Sequence, residues 1–405
     1  MNNSRILNPL TTTLEFKQSL ELGRIQRLRT QIQNIDCGAG LYYDPINIRY
    51  ATGVSNMQVY SLHNPCRYVF VPAEGPVILF DFHGCEHLSA NSVAVDEVRD
   101  AKSWYHFNSG PKNHLHAEQW FAEIDDLMRR YSPDNRRIAI DRIDPIGSHL
   151  LEAAEYEIVE GQEVAHLARI IKSDEEVLAI RDAVAVCQYG IRQMQLASQA
   201  GKTEQAIWSI LHQCNIEFGG EWIETRLLSS GPRTHPWYQE CSSRAIQAGE
   251  MISLDSDLVG PHGYSADISR SWLCDSEKPT DNQKQLYQLA HEQVQRNSEL
   301  FKAGVSYREI TDKAWQLPEQ FQADQLPAVA HGIGLCNEYP LIMNPKWFEQ
   351  SGHDGECQAG MVYCIESYVG GAISNEGVKL EQQILVTEDG YELLSDMEFD
   401  SDLLG

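Results

Sequence analysis

Polar and apolar residues follow two different regimes along the chain. In residues 15–34 apolar positions recur at helical spacing among Gln and Arg, which predicts an amphipathic helix. Strand-like stretches follow at 39–43, 67–71 and 76–80, with turns at Asp44-Pro45 and Glu74-Gly75. The helical period returns at 116–131, where Trp120, Phe121, Ile124 and Leu127 fall on one face. A short buried-type strand at 137–141 then precedes another helix at 149–156. This alternation predicts an N-terminal α/β domain over residues 1–165.

The second regime fills residues 166–405. Long helical patterns occupy 173–200 and 203–217; Ser173 and Glu176 have the spacing of a capping box, and Ala200-Gly201 ends the first helix. Strand patterns then dominate, at 222–228, 251–258, 264–273, 360–368 and 379–387, with helices at 281–301 and 307–317 among them. Strands and helices are partly segregated, which predicts an α+β catalytic domain.

Length and composition narrow the picture. A chain of 405 residues exceeds one ordinary core, and its 42% hydrophobic content is enough to fill two. No apolar run reaches the length of a membrane span, and residues 1–13 are polar, unlike a secretory signal. Ten cysteines are scattered without a CxxC pair, which suits reduced thiols in the cytoplasm. The formal net charge of −26 argues against a nucleic-acid partner and otherwise suits a soluble surface.

Acidic residues inside apolar strands carry the chemistry. Asp255-Ser256-Asp257 lies in a strand pattern whose alternation would put both carboxylates on one face. The turn Gly260-Pro261-His262-Gly263 leads to a second strand carrying Asp267, and hairpin pairing would set Asp267 across from one of the two. Taken alone, an Asp-x-Asp pair more often marks a solvated strand face. Three packed carboxylates, however, need a positive charge; Arg270 could supply part of it, and a divalent cation answers more fully. His331 sits beside glycines in Ala330-His331-Gly332-Ile333-Gly334, and Glu366 and Glu381 are embedded in apolar strand patterns. Three Asp, two Glu and one His form a hard, oxygen-rich set that suits iron, manganese or cobalt and is poor for structural zinc. Two adjacent metals would share bridging carboxylates.

The order Asp, Asp, His, Glu, Glu, with the flanks Gly-Tyr-Ser-Ala-Asp-Ile-Ser-Arg, His-Gly-Ile-Gly-Leu, Gly-Met-Val and Leu-Val-Thr-Glu-Asp-Gly-Tyr, resembles the creatinase and aminopeptidase P type of metallopeptidase. The resemblance implies a pita-bread catalytic domain behind a smaller N-terminal α/β domain, and a homodimer. Within that group the chain is most similar to the dimethylsulfoniopropionate lyases of the DddP type. Asn47-Ile48-Arg49-Tyr50-Ala51-Thr52, Asn56-Met57-Gln58, His63-Asn64-Pro65, the stretch Gly219-Gly220-Glu221-Trp222 with Ile223 to Leu228, Ser230-Gly231-Pro232-Arg233-Thr234 and Gln239-Glu240-Cys241 carry this likeness. It implies two divalent ions, iron first and manganese, cobalt or zinc after it, held by Asp255, Asp257, Asp267, His331, Glu366 and Glu381.

Two departures separate the chain from the peptidases. They have Asp-x-Gly where this chain has Asp255-Ser256-Asp257, and a His where it has Asn337 before Glu338. The lyases carry an Asp at the Asn337 slot, implied to be the base that removes the proton next to the substrate carboxylate. An Asn amide cannot accept that proton, and losing a general base typically costs ~10²–10⁴-fold in rate. The resemblance thus implies a lyase acting on a small-molecule substrate, with Asn337 expected to impair its turnover. A dinuclear hydrolase acting on a small amide or Xaa-Pro substrate is the alternative, and a silent metal-binding relative is the third. Asn337 and His331 are the expected catalytic positions, and Trp222, Trp237, Tyr238 and Tyr339 could face a sulfonium. His235 and His262 are possible outer partners of the metal ligands.

Overall fold

The computed structural model describes residues 6–276 and 278–405. They divide into two compact units, Thr12–Arg169 and residues 6–11 with Ile170–Gly405. The division expected after residue 165 falls inside the helix Gly161–Arg169. That helix stays with the first unit because Tyr50 Oη donates to Ala168 O at 2.8 Å and the Arg169 guanidinium donates to Asn47 Oδ1.

In the first unit a six-stranded mixed sheet runs in the order Glu97–Asp100, Ile78–Asp81, Tyr68–Pro72, Ala39–Tyr42, Arg137–Ile140, Glu157–Glu160. The helix Asn113–Tyr131 lays Ala117, Trp120, Ile124 and Leu127 into its core against Phe70, Phe80 and Ile138. Phe121, expected on that face, is only partly buried. Asp44-Pro45 opens the helix Pro45–Thr52: the Asp44 side chain accepts from Ile46 N–H, and proline occupies the first turn, where its missing N–H costs nothing.

In the second unit the helix Asp174–Ala197 begins at the capping box of Ser173 and Glu176, and Thr203 caps Glu204–Glu217. A five-stranded antiparallel sheet has the order Asn337–Met343, Ala328–Ile333, Val362–Gly370, Gly377–Val386, Tyr391–Leu393. The helix Asp281–Ser298 packs on it through Leu286, Ala290 and Val294, which meet Val369, Val378 and Leu380. Two three-stranded sheets complete the unit: Ser265–Ala266, Leu258–Val259 and Trp222–Ile223 in one, Arg270–Leu273, Met251–Leu254 and Leu228–Ser230 in the other. The long strands expected at 222–228, 251–258 and 264–273 are therefore each broken in two. Among the described residues no helix is long and apolar enough to cross a membrane.

Candidate metal centre

Strands Val362–Gly370 and Gly377–Val386 set Glu366 directly opposite Glu381. Like charges facing each other across a sheet repel, so this register needs a cation. His331 lies on the neighbouring strand, opposite Cys364. Asp255 follows the end of Met251–Leu254, and its N–H donates to Leu227 O at 2.9 Å.

The alternation expected through Asp255 and Asp257 is not what joins them. Residues 255–257 belong to no strand, and Asp257 has a left-handed φ of 37°. A bend brings its carboxylate round instead. Asp257 N–H donates to Asp267 Oδ1 at 3.3 Å, and Thr225 Oγ1 donates to Asp257 Oδ2 at 2.6 Å. Asp267 sits in the gap between Ser265–Ala266 and Arg270–Leu273, where its N–H donates to Gln383 Oε1 at 3.2 Å.

The structure thus brings the six residues together. Oxygens of Asp255, Asp267 and Glu381 lie within 4.8 Å of one another, as do the donor atoms of His331, Cys364 and Glu381. His331 Nε2 is 3.5 Å from Glu381 Oε1 and 3.8 Å from Asp267 Oδ2. Ser269 Oγ lies 2.7 Å from both Asp255 Oδ1 and Glu381 Oε2, with one hydrogen to share between them.

Sequence reasoning missed Lys379. Its ammonium, 1% exposed, lies 3.0 Å from Glu366 Oε2, 3.2 Å from Glu381 Oε2, 3.3 Å from Asp255 Oδ2 and 3.0 Å from Ser269 Oγ. The signal was present: Lys379, Glu381 and Gln383 alternate onto one strand face. Arg270 is not the counter-ion. It donates to the carbonyls of Ser269, Glu381 and Met397 and lies 4.3 Å from the Phe399 ring.

The electrostatics record a shortage of positive charge. Burial, then Asp257 and Glu381, push Asp267 well above the usual carboxylate range. Burial also raises Asp257 and Glu381. Asp255 goes the other way, because Lys379 and Ser269 outweigh its burial. Burial pulls His331 down, but Glu381 and Glu366 overcome it and hold the imidazole at about 9. Cys364 is pushed far up by burial and then Glu381, so it stays a thiol.

A metal fits this donor set. Glu381 is fully buried, yet its Oε1 has no hydrogen-bond partner and points toward the His331 nitrogen. An orphaned buried carboxylate oxygen beside an imidazole is what two ligands look like around a shared cation. Five carboxylates crowd around the single Lys379 ammonium and one imidazole, so the cluster holds more acid than the chain's own cations can neutralise.

The remaining expected positions are spread out. Asn337 is exposed and opens its strand opposite Ile333; buried Glu338 beside it accepts from Lys172 Nζ at 2.9 Å and Leu335 N–H at 3.1 Å. Tyr238 is 66% exposed, and burial of its hydroxyl followed by the Glu366 charge raises its pKa, which places that hydroxyl in the field of the cluster. Trp237 packs into a small core with Leu227, Leu326 and Tyr368. Trp222 pairs with Val259, and Tyr339 stacks on His353 at 5.0 Å. His235 bonds Tyr368 Oη at 3.0 Å, and His262 Nε2 lies 3.3 Å from Asp182 Oδ2, so both are engaged elsewhere.

Comparison with known proteins agrees with this arrangement. The chain matches the metallopeptidase family M24 over residues 179–388 and the creatinase/prolidase N-terminal domain over residues 24–181. It is 40% identical over 387 residues to the dimethylsulfoniopropionate lyase DddP of Roseovarius nubinhibens, covering 94% of this chain and 87% of that one. It is 38% identical over 370 residues to DddP of Roseobacter denitrificans, covering 90% and 83%. Among solved structures, the Xaa-Pro dipeptidase of Bacillus anthracis superposes with a TM-score of 0.74 at 19% identity, covering 94% of this chain and 99% of that one. The fold is therefore creatinase/prolidase-like, with an N-terminal domain and a C-terminal pita-bread domain. The chain belongs to the M24 metallopeptidase family, in the group of the DddP proteins.

Proposed function

We propose that this chain is a metal-dependent dimethylsulfoniopropionate lyase that releases dimethyl sulfide and acrylate. The observation that carries the reading is the 40% identity to a DddP lyase across 94% of the chain, which extends well beyond the metal-binding motif. In the reaction the proton on the carbon next to the carboxylate leaves, a carbon–carbon double bond forms, and the carbon–sulfur bond breaks with its electrons going to sulfur.

Asp255, Asp257, Asp267, His331, Glu366 and Glu381 are the residues that would hold two divalent ions, iron by preference. Bound there, the ions would supply positive charge for the substrate carboxylate. Tyr238 offers an exposed ring beside the cluster, suited to a sulfonium that must shed water. Trp237 stands behind it, with ring centroids 6.4 Å apart. Asn337 holds the slot of the base but takes no proton, so turnover is slow. The chain's ten free cysteines support a reducing, cytoplasmic setting, and the family resemblance supports a homodimer.

The test is dimethyl sulfide release by this chain and by Asn337→Asp, both loaded with iron. The variant should be faster by about 10²–10⁴-fold. No release by either protein, together with cleavage of an Xaa-Pro dipeptide, would replace this reading with a hydrolase.

A further inference from the structure

Two buried cations touch the walls of the metal centre, and they are used differently. Arg270 spends its donors on backbone carbonyls. Lys379 spends its charge on the cluster: its three carboxylate contacts, to Asp255, Glu366 and Glu381, are all between 3.0 and 3.3 Å. Those are three of the groups assigned above to metal. The backbone that carries the lysine is tied to the neighbouring strand: Ser271 Oγ donates to Lys379 O at 3.1 Å, and Lys379 N–H donates to Ser271 Oγ at 3.1 Å.

Glu381 shows how the two kinds of cation divide the ligands. Its Oε2 faces Lys379 and Ser269, while its Oε1 faces His331 and is otherwise unpartnered. One oxygen is committed to a cation the chain carries itself, and the other is open to one it must acquire.

We propose that Lys379 is a built-in third cation of the centre, which holds the metal-free carboxylates together and competes with divalent metal for Asp255, Glu366 and Glu381. This rests on the metal-centre reading above. Its consequence has a definite sign. Removing the ammonium leaves the metal-free cluster with one more uncompensated negative charge, and it removes a like charge from beside the incoming ions. Both changes favour metal uptake. A residue that only packed or oriented the ligands would act oppositely, and its loss would weaken uptake.

The experiment strips the full chain of metal and titrates it with manganese(II) alone, for the original protein, Lys379→Met and Lys379→Arg, with thermal unfolding of stripped and loaded forms alongside. Lys379→Met should bind manganese at least about tenfold more tightly. Its stripped form should melt several degrees lower than the stripped original, with the gap narrowing on loading. Lys379→Arg keeps the charge and should bind within about threefold of the original. Lys379→Gln, neutral but polar, supplies the same comparison where the methionine variant does not fold. Manganese binding that is unchanged or weaker in the neutral variants, with two ions still taken up by the original, overturns the role of Lys379 and leaves the metal centre standing. No uptake by the original overturns the metal-centre reading, and this inference with it.

Discussion

The two units bury charge in opposite ways. In Thr12–Arg169 the pair Arg67 and Asp81, each 1% exposed, closes on itself through two parallel bonds of 2.8 Å. Asp141 in the same unit accepts from the N–H groups of Tyr43 and Asp44 and from Asn47 Nδ2. Each charge there is met within the fold. In Ile170–Gly405, by contrast, three carboxylates converge on one ammonium, Asp257 and Asp267 crowd beside them, and a buried Glu381 oxygen goes without a hydrogen bond. A fold that needs charge only for structure pairs it. A buried cluster left short of positive charge is built for a cation that comes from outside.

That contrast can be broken from either side. Asp81→Ala strands Arg67 in the first unit and should cost about 3–5 kcal/mol of its unfolding free energy, with no rescue by added metal, as read by denaturant unfolding. Stripping metal from the original protein should destabilise the second unit alone. Restoring divalent ion to a hundredfold over its Kd should return about 2.7 kcal/mol, seen as a rise in that unit's Tm. Ser269→Ala removes the hydroxyl shared by Asp255 and Glu381 and should weaken metal binding about 10–100-fold in a chelator competition. The smallest effect belongs to Gly371→Ala. Its φ of 85° is left-handed and a Cβ would lie 2.6 Å from His235 Cε1, so a loss of about 1–2 kcal/mol is expected with metal content unchanged.

Much of the site was legible because carboxylates in apolar strands are conspicuous. Glu366 and Glu381 stood out for that reason, and the register then set them face to face. The capping box at Ser173 was readable for the same kind of reason, since its chemistry is local. Asp255 and Asp257 were expected to converge by strand alternation and converge by a bend instead, because a left-handed residue inside an apparently regular strand leaves no trace in polarity. Lys379 was passed over although its spacing from Glu381 put both on one face; a lysine in a strand reads as solvent-facing until the neighbouring sheet is known to cover it. Arg270 drew attention instead, and only its backbone partners exclude it as the counter-ion. Of the four aromatics, Tyr238 is 66% exposed while Trp237 is buried, a difference set by tertiary packing and not by sequence neighbours.

The central claim is that the cluster's missing charge is supplied by two divalent ions. Crystals of the metal-loaded chain, measured for anomalous scattering at the iron edge, test it most directly. The account predicts two peaks per chain, both enclosed by Asp255, Asp257, Asp267, His331, Glu366 and Glu381. Ions bound only outside these six residues, or no ions at all, would contradict it.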